Sequence, residues 1–274
     1  MKQGCINIDF QTPQVMAILN VTPDSFYKQS RTFSADEIED RVKKIISEGA
    51  TIIDVGGYSS RPMADDISIE EEWNRVDRGV GIIRRLAPQM AISIDTFRSE
   101  VAAHVIEKYG PVIINDISAG EIDPKLIDIA AKYRVPYIAM HMRGTPQTMQ
   151  QLTNYDNIIE DVTLYFESKI GQLKSRGVDN IIIDPGFGFA KTIEQNYMLM
   201  SNLNRLSNLG YPILAGVSRK SMIYKVLEIS AEESLTGTIA LNWEALRQGA
   251  MILRVHDVRE AVETLKIFNK LIAV

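Results

Sequence analysis

Three acid or amide side chains close runs of β-branched residues: Asp95 after Ala91-Ile92-Ser93-Ile94, Asn115 after Val112-Ile113-Ile114, and Asp184 after Ile181-Ile182-Ile183. A carboxylate accepts two parallel hydrogen bonds from an N–H and a neighbouring NH2, and an amide both donates and accepts. Together the set suits a flat heterocycle bearing amide and amino groups. Taken singly, each reads more simply as a buried acid or a turn cap, the common fate of Asp184-Pro185-Gly186, and Asp116 beside Asn115 reads as structural. A second set is cationic. Gly216-Val217-Ser218-Arg219-Lys220-Ser221 follows a seventh apolar run, and Arg254-Val255-His256 puts two basic side chains on one side of an eighth by two-residue alternation. Arg61, after Gly56-Gly57, is a third element of it. These groups fit an anionic leaving group, so the sites together describe a transfer reaction driven by positioning and electrostatics.

The elements that must position these residues repeat along the chain. Strand-like runs end at Asn20, Gly56, Asp95, Asn115, His141, Asp184, Gly216 and Arg254 with His256, so all eight ends are polar or small. Helical patterns lie between them, among them Asn157 to Lys174, Leu235 to Gln248 and Val258 to Ile272. Capping boxes at Ser34-Ala35-Asp36-Glu37 and Ser68-Ile69-Glu70-Glu71 open two more, and Thr192 opens another. Eight strands alternating with helices over about 250 residues predict an α/β fold, a single-domain (β/α)8 TIM barrel spanning 1–274, with its site at the C-terminal strand ends. A doubly wound open sheet is the alternative. No linker or low-complexity tract divides the chain.

Composition narrows the function. The 274 residues are 45% hydrophobic and 24% charged with a net charge of −5, which argues against general nucleic-acid binding. One Cys, Cys5, rules out a disulfide framework, and Met1 to Gln14 has no apolar signal core. Cytoplasmic location and no membrane association are the expectation. Neither a P-loop nor a dinucleotide fingerprint is present. His104, His141 and His256 are too scattered for a zinc site, and no Ser-His-Asp or Cys-His arrangement is legible. His104 reads as structural. His141 sits at a strand end and either meets ligand or does not. Lys43, Lys44, Arg84 and Arg85 read as solvated charge on helical faces.

Read in order, the strand-end motifs resemble those of dihydropteroate synthases. The resemblance rests on Ile18-Leu19-Asn20-Val21-Thr22-Pro23-Asp24-Ser25-Phe26, Asp54-Val55-Gly56-Gly57 with Ser59-Ser60-Arg61-Pro62, Ser93-Ile94-Asp95-Thr96 and Ile114-Asn115-Asp116. It continues through His141-Met142-Arg143-Gly144-Thr145-Pro146, Asp184-Pro185-Gly186-Phe187-Gly188-Phe189, Ser218-Arg219-Lys220-Ser221 and Arg254-Val255-His256-Asp257-Val258. It implies an enzyme that joins 4-aminobenzoate to 7,8-dihydropterin-6-ylmethyl diphosphate, with a Mg2+ cofactor and a homodimeric state. Asp95, Asn115, Asp184, Gly216 and Lys220 would hold the pterin, with Arg254 against its face. Asn20, Arg61, Arg254 and His256 would meet the diphosphate, Asn20 also the metal. Phe26, Ser60, Pro62, Phe187, Lys220 and Ser221 would shape the aminobenzoate pocket. Asp95, Lys220, Asn20 and Arg61 would be the catalytic residues. Tyr58 stands where Glu is usual in the family, Ser60 where Thr is usual, Met63 and Ala190 where Gly is common.

Two other readings accompany this one. A pterin-binding methyltransferase shares the fold and the ring contacts, but it handles no diphosphate and leaves Arg61, Lys220 and His256 without a purpose. An inactive pterin-binding paralogue is motivated by Tyr58 and Met63.

Overall fold

The computed structural model describes residues 8, 10–22, 34–59, 66–145 and 147–273. Eight parallel strands alternate with helices: β1 (Gln14–Asn20), β2 (Ile52–Gly56), β3 (Ala91–Asp95), β4 (Ile113–Asp116), β5 (Tyr137–Met140), β6 (Ile181–Asp184), β7 (Ile213–Ala215) and β8 (Ala250–Val255). The intervening helices are α1 (Ala35–Glu48), α2 (Ile69–Leu86), α3 (Ser99–Tyr109), α4 (Lys125–Tyr133), α5 (Ile158–Ser175), α6 (Ile193–Ser201), α7 (Asn204–Ser207), α8 (Ser221–Leu227), α9 (Leu235–Arg247) and α10 (Val258–Ile272). β1 pairs with β8 as well as with β2, so the sheet closes on itself and the open doubly wound arrangement is excluded. Among the described residues no helix is long and apolar enough to cross a membrane.

Local sequence sets the helix starts. Ser34 and Glu37 make a reciprocal capping box, as do Thr192 and Gln195, each satisfying two otherwise orphaned N–H groups. At Ser68 one half of the expected box forms, with Oγ accepting from the Glu71 N–H. The Glu71 carboxylate turns instead to Arg75, one turn along. Asn157 caps α5 through its side-chain oxygen.

Strand parity then builds the site. Met16, Ile52, Ile113, Ile138, Ile182, Leu214 and Ile252 form one buried cluster inside the barrel, with Ile8, Phe10 and Ala91 packed against it. Each fully buried aliphatic side chain contributes about 1.5–3 kcal/mol. Two residues further along the strands the same inward parity selects Ile18, Asp54, Ser93, Asn115, Met140, Asp184, Gly216 and Arg254. An apolar floor therefore underlies a polar layer at the C-terminal end. The register brings Asp54 opposite Ser93 and Asp95 opposite Asn115.

Candidate active site

Arg254 organises the polar layer. Its Nε donates to Asp54 Oδ2 and its NH2 to Asp95 Oδ2, both at 2.7 Å. Asn115 donates its amide to the same Asp54 oxygen at 3.0 Å. Asp54 is wholly buried, and its other oxygen has no hydrogen-bond partner among the described residues. Burial pushes the Asp95 carboxyl up to about 7; Arg254 opposes this, while the neighbouring acids Asp54, Glu72 and Asp116 add to it. Burial pulls the Arg254 guanidinium down, but Asp54 and Asp95 outweigh it and raise it overall.

Asp184 reaches the layer from β6, and the turn behind it is tightly built. Its Oδ1 accepts the Gly186 N–H at 2.8 Å, and burial raises its carboxyl above the usual range against the pull of Lys220. Gly186 has φ +68°, and a Cβ there would lie 2.1 Å from the His141 carbonyl oxygen. No other residue fits. Gly188 has φ +81°, and its missing side chain gives passage to Lys220, whose Cδ would stand 3.3 Å from a Cβ. Lys220 then donates to the Phe187 carbonyl at 2.5 Å and lies 4.8 Å over the Phe189 ring. Burial draws the Lys220 ammonium down to about 8, with Asp184 opposing.

The third group stands beside β8. Ser218 Oγ lies 3.0 Å from His256 Nδ1 and accepts the His256 backbone N–H at 3.2 Å. The Ser218 hydroxyl, which can donate to or accept from Nδ1, thereby fixes the imidazole plane and leaves Nε2 as the other ring nitrogen. Burial pushes His256 down to about 3, helped by Arg254, so the ring is neutral near pH 7. Arg219 also borders the cavity, but its guanidinium is already engaged. It forms a bidentate pair with Asp257 at 2.9 and 2.8 Å and donates to the Ala231 and Glu232 carbonyls. Arg41, from α1, reaches the His256 carbonyl at 2.6 Å.

Asn20, Asp95, Gly216, Lys220, Arg254 and His256 line one cavity of about 470 Å³, and Ser221 borders it. Asn115 and Asp184 sit deeper, only 4% and 7% exposed. Phe187 is among the residues that line this cavity, fully buried against the core, and its carbonyl accepts from Lys220. The left-handed glycines on either side turn the ring of Phe189, not Phe187, beneath Lys220. Phe26, Ser60, Arg61, Pro62 and Met63 lie outside the described residues. Among the described residues no group of three or more His, Cys, Asp or Glu side chains is placed to hold a metal ion.

The model of the pterin binding enzyme family matches residues 16–256. A dihydropteroate synthase of Haemophilus influenzae is 42% identical over 267 residues, covering 96% of this chain and 95% of that one. The chain belongs to the dihydropteroate synthase family. Among solved structures, the Yersinia pestis dihydropteroate synthase with a sulfonamide drug complex superposes with a TM-score of 0.91 at 36% identity, covering 97% of both chains. The Xanthomonas albilineans dihydropteroate synthase in complex with 7,8-dihydropteroate does so with a TM-score of 0.84 at 31% identity, covering 97% of this chain and 96% of that one.

Two of the departures from the usual dihydropteroate synthase pattern, Tyr58 and Ala190, fall among the described residues. Tyr58 packs edge-on against Phe97, and the Arg98 guanidinium lies 5.2 Å over its ring. Arg98 also pairs with Asp66 at 2.9 Å and with the buried Glu72 at 3.1 Å. Ala190 adopts φ +49°, a left-handed conformation that glycine takes without cost. Two other expectations are refined. His141 is buried, edge-on to Tyr165, with Nδ1 3.0 Å from Lys191 Nζ, and it does not border the cavity. Arg84 is not simply solvated, because it donates to the Met90 carbonyl at 2.7 Å. Asp116 is structural as expected, accepting from Ser118, Gly120 and Tyr137.

The residue that sequence reasoning missed is Asp54, the bridge between Arg254 and Asn115. Its signal was its two-residue spacing from Gly56 at the strand end.

Proposed function

We propose that this chain condenses 4-aminobenzoate with (7,8-dihydropterin-6-yl)methyl diphosphate, giving 7,8-dihydropteroate and diphosphate in folate biosynthesis. The observation that carries the reading is the polar layer around Arg254, where Asp54, Asp95 and Asn115 converge below a cavity rimmed by Lys220 and His256. The Xanthomonas relative in complex with 7,8-dihydropteroate supports it.

In this reading Asp95, Asn115, Asp184 and Lys220 bind the ring edge, Gly216 leaves room beside it, and Arg254 lies against its face. Arg254, His256, Arg61 and Asn20 meet the diphosphate. The C–O bond to diphosphate breaks with its electron pair on the leaving oxygen, and the positive charge on the methylene spreads into the ring. The Asp95 carboxylate opposes that charge. The amine nitrogen of 4-aminobenzoate then forms the C–N bond and releases a proton to solvent. Phe26, Ser60, Pro62, Phe187, Lys220 and Ser221 orient the amine.

A magnesium ion fits this site only as a companion of the substrate. Asn20 offers one neutral amide oxygen at the mouth, which suits an ion that keeps its waters and is held mainly by phosphate. Asn20 would hold it, and the ion would supply neutralisation of the leaving diphosphate. The reading extends to one domain over 1–274, a cytoplasmic enzyme and a homodimer. The last of these rests on the family resemblance.

Diphosphate release with magnesium, with and without 4-aminobenzoate, tests the reading in the wild type and in Lys220→Ala. Release that needs both substrates and falls by about 10²-fold in the variant supports it. Pterin binding without release would instead identify an inactive paralogue.

A further inference from the structure

Lys191 lies outside the cavity and is buried, yet it holds the turn on which the cavity rests. Its Nζ stands 3.0 Å from each of three acceptors: His141 Nδ1, the Gly186 carbonyl and the Phe189 carbonyl. A fourth contact, to the His141 carbonyl, is longer at 3.5 Å, so the three ammonium protons serve the three nearer partners. The two carbonyls bracket the turn, and the carbonyl between them, that of Phe187, accepts from Lys220. The same turn supplies the Gly186 N–H that binds Asp184. Two lysines thus grip one turn, Lys220 at its middle and Lys191 at both ends.

We propose that Lys191, together with His141, is a positioning residue for the ring-binding floor: its ammonium fixes the turn that places Asp184 and Lys220, without touching a ligand. The proposal rests on the pterin-binding reading above. Its geometry also allows a second state. A neutral Lys191 amine can still donate to both carbonyls and accept from His141 Nδ1–H, so the pair can lose one proton and keep all three bonds by a change of histidine tautomer. His141 itself stays uncharged, because burial, with Lys191 and Arg143 beside it, holds it down at about 2. The groups facing Lys191 are Asp184 from β6, Lys220 from the loop after β7 and Arg143 from the turn after β5. Tyr165 and Tyr155 face the His141 ring. Burial brings the Lys191 ammonium down to about 7 against the pull of Asp184, with Lys220 and Arg143 adding to the fall, so both states are within reach near neutrality. The charged form grips the carbonyls harder. A ligand seated on this floor therefore binds the charged form better and, by reciprocity, favours it.

The test uses the full chain labelled with 15N-histidine, titrated from about pH 5.5 to 9 with and without 7,8-dihydropteroate. The expected result is a His141 tautomer step whose midpoint rises by about one unit on loading, equivalent to about tenfold tighter binding to the charged form. Lys191→Met should abolish the step and weaken 7,8-dihydropteroate by about tenfold. Lys191→Arg, which keeps the charge, should recover affinity and hold it flat above pH 7. A midpoint that does not move on loading, or a folded Lys191→Met with affinity within twofold of wild type, would overturn the proposal. If Lys191→Met does not fold, the wild-type midpoint decides. A wild type that binds no 7,8-dihydropteroate overturns the functional reading and this proposal with it; one that binds it with an unmoved midpoint overturns the proposal alone.

Discussion

Arg254 and Asp95 meet at 2.7 Å across the barrel mouth although 159 positions separate them, and the same guanidinium is held at 2.7 Å by Asp54. Neither acid could hold it alone in this geometry, since Nε and NH2 point to different strands. The ion pair is thus a property of barrel closure.

Removing the deeper partner should be the costlier change. Asp54→Ala leaves Arg254 with one of its two acids and Asn115 without its acceptor, so a loss of about 3–5 kcal/mol is expected. Denaturant unfolding measures it, and a change within 1 kcal/mol would contradict the bridging role. Asp54→Asn should cost less, because the amide oxygen can still accept.

Asp95 sets the acid side of the pH profile. Its carboxyl is raised to about 7, so it is protonated below that pH and can no longer oppose cationic charge. kcat/KM for diphosphate release should rise with pH through about 7. Asp95→Asn should lose that rising limb together with about 10²-fold or more of the rate. A variant that keeps the limb would assign it to another group.

Gly186→Ala probes the turn directly. A methyl group 2.1 Å from the His141 carbonyl, at φ +68°, forces the β5 and β6 ends apart. The expected cost is about 3 kcal/mol or more, a fall in Tm of about 6–12 °C. An unchanged Tm would mean that the turn has a second conformation.

Stability itself should respond to acid through His256. Its folded value, about 3, lies below the ordinary 6.5, so the unfolded chain binds the proton more readily. The stabilisation is complete above about pH 6.5 and is lost as pH falls toward 3, by about 1.4 kcal/mol per unit. His256→Asn should reduce the acid slope of the unfolding free energy by that amount between pH 6 and 4. An identical slope in the two proteins would show that the ring is accessible to protons in the native state.

Much of this arrangement was legible in the chain. Eight apolar runs ending in polar or small residues announced the barrel, and Asp95, Gly216, Lys220, Arg254 and His256 come together at one mouth. What stayed hidden has physical reasons. β2 is buried on both faces, so it carries no polar-apolar alternation, and only the two-residue spacing from Gly56 marks the inward side of Asp54. Arg219 looked like its neighbour Lys220 because its partner, Asp257, lies 38 residues on. The strand rule also fails at Gly186 and Gly188, where left-handed backbone decides which phenylalanine leaves the core.

The aliphatic floor beneath Arg254, made by Met16, Ile52, Ile113, Ile138, Ile182, Leu214 and Ile252, acts as an insulator. Water cannot relax the ionised layer from below, so each charge there responds to every other. A ligand entering from above therefore adjusts the proton occupancy of Asp95 and Lys220 as it binds. Its binding heat will depend on the ionisation enthalpy of the buffer, and the slope of that dependence counts the protons exchanged.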